Sequence, residues 1–192
     1  MSLVELIAQA DERGLAVSGL ACLDRCVPLL GGADDEVLRP LWSNLADDGD
    51  AGAWRGLVDI ARERLGVADP AGVGADGTVD EAVLLVRRML AAAPAVRSAA
   101  PARIWADGCS VAALRIHRLL DAAGDGSASA DARRGGRTEV MSPLVAAELR
   151  RQITVLELLS QHGGGGLRRA LEVSTEGRRV LRAAVSRRAR HA

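Results

Sequence analysis

Gly72-Val73-Gly74-Ala75-Asp76-Gly77 spells GxGxxG ahead of a helical stretch. That spacing can let backbone amides approach a pyrophosphate, provided a buried strand precedes the first glycine. Here a helix end and Val67-Ala68-Asp69-Pro70-Ala71 come first. Asp76 would also set a carboxylate beside the phosphates, so the stretch reads as a flexible connector. Taken as a calcium loop, Asp76-Gly77-Thr78-Val79-Asp80 supplies only its middle. Gly72, Gly74 and Val83 then fall where oxygen ligands are required. The acid clusters Asp34-Asp35-Glu36 and Asp47-Asp48 fit helix N-termini, where the dipole favours anions.

Cys22 and Cys26 stand four apart, one helical turn on one face. A closed zinc site needs two more ligands. Cys109, His117, His162 and His191 offer none at ligand spacing, so the thiols read as buried and no metal or cofactor is called for. Three cysteines make no disulfide scaffold, which suits a reducing cytoplasm. No nucleophile stands beside a base in a local signature. Lys, Tyr and Phe are absent, so no Schiff-base lysine or tyrosine acid is available.

Two polar residues break apolar patterns. Gln152 falls between Val145 and Leu159 on the apolar stripe of a helix over 143–161. A buried amide must find partners, so it bonds backbone at a helix crossing or faces a cavity or subunit contact. His117 lies on the flank of its helix's apolar face and reads as a boundary residue; with Gln152 it marks a candidate cavity.

The terminal segment carries the strongest pattern. Over 167–190, Leu167, Ala170, Leu171, Val173, Val180, Leu181, Ala184 and Val185 share one half of a helical wheel. Arg168, Arg169, Arg179, Arg182, Arg187 and Arg190 share the other, and only Arg178 and Arg188 break the partition. Gly177 falls on the apolar side, as close packing would require. A basic amphipathic helix can meet nucleic acid, an anionic membrane or an acidic partner. It can equally dock on its own body with a solvated arginine face. A helix-turn-helix forced on Ile104 to Leu120, with Asp107-Gly108 as its turn, starts its reading helix Val111-Ala112-Ala113, which cannot hydrogen-bond base edges.

The elements holding these residues are all helical in period. Ser2 and Glu5 spell a capping box, followed by Leu3, Leu6, Ile7 and Ala10 and a stop at Gly14. Ser18 opens a second helix toward Leu30, shortened by Pro28. A third carries Leu38, Leu41, Trp42 and Leu45 and starts at Asp34 or Pro40. The stripe Trp54, Leu57, Val58, Ala61 and Leu65 marks a helix over 51–65, with Arg55 and Asp59 as an exposed pair. Another runs from Thr78 to Ala93. Pro94 and Pro101 punctuate short pieces, and a helix follows from Ser110 to Ala123. Residues 124–137 hold no large apolar side chain and read as a mobile loop. Gly163 to Gly166 reads as a hinge before the terminal helix.

The chain has 192 residues, 48% hydrophobic and 26% charged, enough for one domain with a sizeable core. Glu5 interrupts the only apolar N-terminal stretch, so no signal peptide is expected, and no apolar run spans a membrane. Net charge is zero, yet residues 1–82 carry −10 and residues 83–192 carry +10. The halves either neutralise each other within one fold or present a partner surface.

The sequence therefore predicts a single all-α domain over 1–192, a compact bundle of seven to nine helices with a long amphipathic C-terminal helix. The leading functional expectation is a non-enzymatic interaction or regulatory module that self-associates or meets an acidic protein. Alternatives are weak nucleic-acid binding through the arginine helix, and a small-molecule or enzymatic cavity near Gln152.

Overall fold

The computed structural model describes residues 1–31, 36–46, 50–66, 77–121 and 141–190. Their regular elements are eight α-helices and two 3-10 turns, and none is a strand. The predicted loop at 124–137 and the glycines at 72–74 lie outside the described residues.

Helix α1, Leu3–Gln9, has the predicted capping box: Ser2 N donates to Glu5 Oε2 at 2.7 Å and Glu5 N to Ser2 Oγ at 3.3 Å. It stops at Gln9, before Gly14. The second helix, α2, spans Glu12–Cys26, six residues ahead of the predicted start at Ser18. Asp11 caps it by accepting from Gly14 N at 2.7 Å, so Gly14 opens a helix rather than closing one. Pro28 has no N–H to give the Asp24 carbonyl. The chain tightens there into the 3-10 turn Val27–Leu30. Every residue of α2 from Gly14 to Cys26 is buried.

Helix α3 is Arg39–Ala46 and α4 is Ala51–Gly66. Asp50 begins α4 by accepting from Gly52 N at 2.8 Å. On α4 the ion pair is Arg62 with Asp59, at 3.0 Å, in place of the expected Arg55–Asp59 pair. Arg62 also reaches the end of α5, Gly77–Ala91, where it donates to the carbonyls of Ala91 and Ala93 at 2.9 and 2.7 Å.

The largest departure is α6, one continuous helix over Ala99–Leu120. Pro101 is its third residue, where a missing N–H leaves no intrahelical bond unmade. Asp107-Gly108 lies mid-helix, so the helix-turn-helix reading falls. Helix α7, Pro143–His162, and α8, Leu167–Ala189, are joined by the 3-10 turn Gly163–Gly166. Two of those glycines are required by geometry. Gly163 closes α7 at φ +52°, and a Cβ on Gly166 would come 2.8 Å from the carbonyl carbon of Leu158.

Helices α2 and α6 form the axis, and α5, α7 and α8 pack around both. The main core gathers Leu20, Leu23, Trp42, Trp54, Trp105 and Ile116, and a second cluster joins Leu3, Ile7, Leu15 and Leu114 to Leu156. Gly19 makes room for Trp105, whose Cε3 would lie 2.6 Å from an added Cβ. Trp105 meets Trp54 edge to face, centroids 6.3 Å apart. Their indole nitrogens donate to the Met89 and Pro94 carbonyls at 2.9 and 2.8 Å.

Candidate functional site

Three regions concentrate chemistry. The first is a buried polar cluster where α2, α6, α7 and α8 meet. Arg25, the only Arg of α2 beyond its first turn, is fully buried. Its Nη2 donates to Glu148 Oε1 at 2.7 Å and its Nε to Glu148 Oε2 at 2.9 Å, a bidentate fork. Nη1 reaches Ser174 Oγ at 3.5 Å, and Nη2 reaches Cys22 Sγ at 3.4 Å. Gln152 Nε2 donates to Glu148 Oε1 at 2.9 Å, while its Oε1 accepts from Ser110 Oγ at 2.6 Å.

His117 is fully buried, so its predicted boundary position is corrected. The ring sits on an uninterrupted α6 that α2 and α7 cover from two sides. Its Nδ1 lies 2.8 Å from the Ala113 carbonyl, which can only accept, so Nδ1 carries the hydrogen. Nε2 points at Glu148 Oε2 from 3.5 Å without a hydrogen bond.

Electrostatics follow from burial and pairing. Burial alone would raise the Glu148 carboxyl, but the Arg25 charge and then His117 outweigh it and hold it below the usual range. Burial pushes the His117 imidazole down, against the pull of Glu148. Arg25 already saturates that carboxylate, so a second buried cation gains little. Burial also raises the Cys26 and Cys109 thiols, which keeps them protonated and unreactive. All three cysteines are free and buried. The cluster thus holds the residue types of acid–base chemistry, with Arg25, Glu148 and Gln152 bonded to one another and His117 Nε2 left without a hydrogen bond.

The second region is α8. Leu167, Ala170, Ser174, Gly177, Leu181 and Ala184 are buried against α2 and α7, so its apolar side is covered within the chain. Arg168, Arg169, Arg179, Arg182, Arg187 and Arg190 are all exposed, as the wheel predicted. Both exceptions to the partition are docked. Arg178 is buried beside Asp24, Nη1 to Oδ1 3.5 Å. Arg188 donates to the Leu119 carbonyl at 2.9 Å and to Thr78 Oγ1 at 3.1 Å, tying α8 to α6 and α5. A Cβ on Gly177 would strike the Arg25 stem, with Cγ only 2.8 Å away.

Ion pairs also join the acidic and basic halves. Arg178–Asp24, Arg97–Glu12 and Arg115–Glu81 each set a second-half cation on a first-half acid, so part of the asymmetry is neutralised internally.

The third region is an open groove of about 320 Å³ between α5 and α6. Leu85 and Met89 form one wall, Ile104 and Trp105 the other, and Pro94 and Pro101 also line it. Ile104 is 76% exposed. Gln152, read as a candidate cavity residue, is buried with its amide bonded to Glu148 and Ser110, and it does not line this groove.

Sequence reading missed Arg25, Glu148, Ser110, Ser174 and Asp24. Two signals were present: Asp24 and Arg25 interrupt an otherwise apolar run from Gly14 to Leu30, and Glu148 precedes Gln152 by one turn on the same stripe. No family model, curated protein or solved structure matches this chain.

Proposed function

We propose that the chain is a non-catalytic interaction module that presents the outer face of α8 to an acidic protein surface, a second copy of the chain being one such surface. One observation carries this reading: six arginines of a single helix are exposed while the apolar side of that helix is consumed within the fold. Arginine forks suit carboxylates, and the six arginines outnumber Glu172 and Glu176 on this exposed face, so its net positive charge steers a partner of opposite sign. The first 82 residues, at −10, give the chain itself the matching sign. Because the arginine row and the acids of residues 1–82 belong to different segments, such contacts would join copies head to tail.

Sedimentation of the purified protein at about 20 and 200 mM salt tests this, since screening shortens from roughly 20 Å to below 10 Å over that range. Self-association at low salt should vanish at high salt and in Arg169→Gln/Arg179→Gln/Arg187→Gln, with an unchanged melting temperature. A monomer at every concentration and salt would rule out the second copy as partner. Association that survives the triple substitution would remove α8 from it.

A second reading rests on its own observation. Residues 177–190 contain no acid and four exposed arginines, Arg179, Arg182, Arg187 and Arg190, the pattern of a phosphate-binding stripe. DNA retention by the native protein, lost in the same triple variant and steeply salt-dependent, would favour it over a protein partner.

A further inference from the structure

We propose that the groove between α5 and α6 is a binding site for an amphipathic organic anion, an aliphatic carboxylate whose chain lies along Leu85 and Ile104, above the buried Trp105 and Met89, and whose headgroup meets Arg88. Its volume, about 320 Å³, falls at the lower end of small-ligand sites. Its walls are apolar. The one formal charge on its lining is Arg88, which is exposed and forms no hydrogen bond or ion pair among the described residues. Elsewhere the arginines near the core are engaged: Arg62 on helix-end carbonyls, Arg178 on Asp24, Arg188 on Leu119. A cation left over at the rim of an apolar trough complements a ligand with one anionic end and one apolar end.

The floor is stiff, which favours a site already formed before the ligand arrives. Trp105 is locked by its bond to the Met89 carbonyl and by Gly19 behind it, and Trp54 braces it edge to face. Trp105, only 3% exposed, is therefore a fixed floor beneath the groove, formed at little ordering cost. The groove is open toward solvent at Gly108, mid-helix on α6, where an added Cβ would meet nothing within 4 Å. That glycine leaves the trough unfilled although alanine would suit a helix interior better.

The test uses the full chain and isothermal titration with decanoate, octanoate and decanol, each below its aggregation concentration. Decanoate should bind one per chain. Octanoate should bind about fifteenfold more weakly, since each buried methylene changes affinity about fourfold. Arg88→Gln should weaken decanoate roughly three- to tenfold and leave decanol unchanged. Gly108→Leu should abolish both while keeping or raising the melting temperature. Undiminished decanoate binding in Gly108→Leu would overturn the proposal, as would equal losses of decanoate and decanol in Arg88→Gln. Absence of binding by the native protein, with a concentration-dependent dimer that Gly108→Leu dissolves, would overturn it in favour of a second copy in the groove.

Discussion

Gly177 lies directly over the side chain of Arg25, so close that any Cβ there would run into the arginine's methylene stem. The contact sets the approach of α8 to α2, and it covers the guanidinium that holds Glu148. A glycine near the end of the chain and an arginine near its start thus define one joint. Helix propensity alone would favour alanine over glycine at 177 by about 0.5–1 kcal/mol. The joint reverses that sign. Gly177→Ala should destabilise the fold, whereas Gly56→Ala, exposed on α4 with nothing near its added Cβ, should stabilise it. Urea melts of the two variants moving in the same direction would contradict this packing.

Breaking the buried fork should be costly. Glu148→Gln leaves the Arg25 charge in a dry interior, and losing one partner of such a pair costs about 3–5 kcal/mol. Replacing both, as Arg25→Met with Glu148→Leu, should recover much of that loss, because neither charge is then stranded. Equilibrium denaturation of the single and double variants decides the matter. A single variant within about 1 kcal/mol of native would place the cluster in contact with water.

Stability should fall as the solution is acidified from neutrality. His117 has its pKa lowered in the fold from 6.5, so below pH 6.5 the unfolded chain binds a proton that the native ring resists. Glu148 is also lowered, from 4.5, so its contribution is present above pH 4.5 and is lost as pH falls toward its folded value. Both groups bind more protons unfolded, and the slope of stability with pH is positive through each window. Urea midpoints at pH 7.5, 5.5 and 4 test the trend. His117→Asn should flatten the upper step and leave the lower one.

Trp54→Ala should cost about 3–5 kcal/mol. Trp54 is fully buried, braces Trp105 and donates to the Pro94 carbonyl, so its loss opens a cavity and orphans an acceptor. A melt showing less than about 1 kcal/mol would mean that α4 does not cover the core in solution.

Removing residues 163–192 should lower stability or solubility. The truncation uncovers apolar surface on α2 and α7, takes Arg178 from Asp24 and removes Ser174 from Arg25. An unchanged melting temperature would show that α8 is an appendage.

The helices with one wet face were the most legible. On α4, α5, α7 and α8 a polar side fixes the phase of the apolar stripe, so the core residues can be read from spacing alone. Helix α2 has no wet face beyond its first turn. Nothing in its pattern marks an outside, and its start was misplaced by six residues. On α6, Pro101 and Gly108 read as breakers because residue types do not reveal that one sits in a first turn and the other borders a groove. Gln152 was legible as an amide needing partners. Their identity was not, since Arg25 and Glu148 stand 123 residues apart and pair only through the packing of α7 on α2. Arg178 and Arg188 were legible as exceptions, and both are docked.

The enclosure of α2 has a consequence for synthesis on the ribosome. A helix complete by residue 26 is covered by segments that emerge much later, the last of them α8, ending at residue 189. At about 5–20 residues per second, that is a wait on the order of ten to thirty seconds. During it the stretch from Gly14 to Leu30 is among the stickiest in the nascent chain. Asp24 and Arg25, expensive to enclose in the finished fold, are the two charges that interrupt it meanwhile. Nascent chains stalled at residue 140 should therefore be cleaved by trypsin after Arg25, and full-length released chains should resist there. Protection of Arg25 in the stalled chain would mean that α2 finds a provisional cover before α7 and α8 arrive.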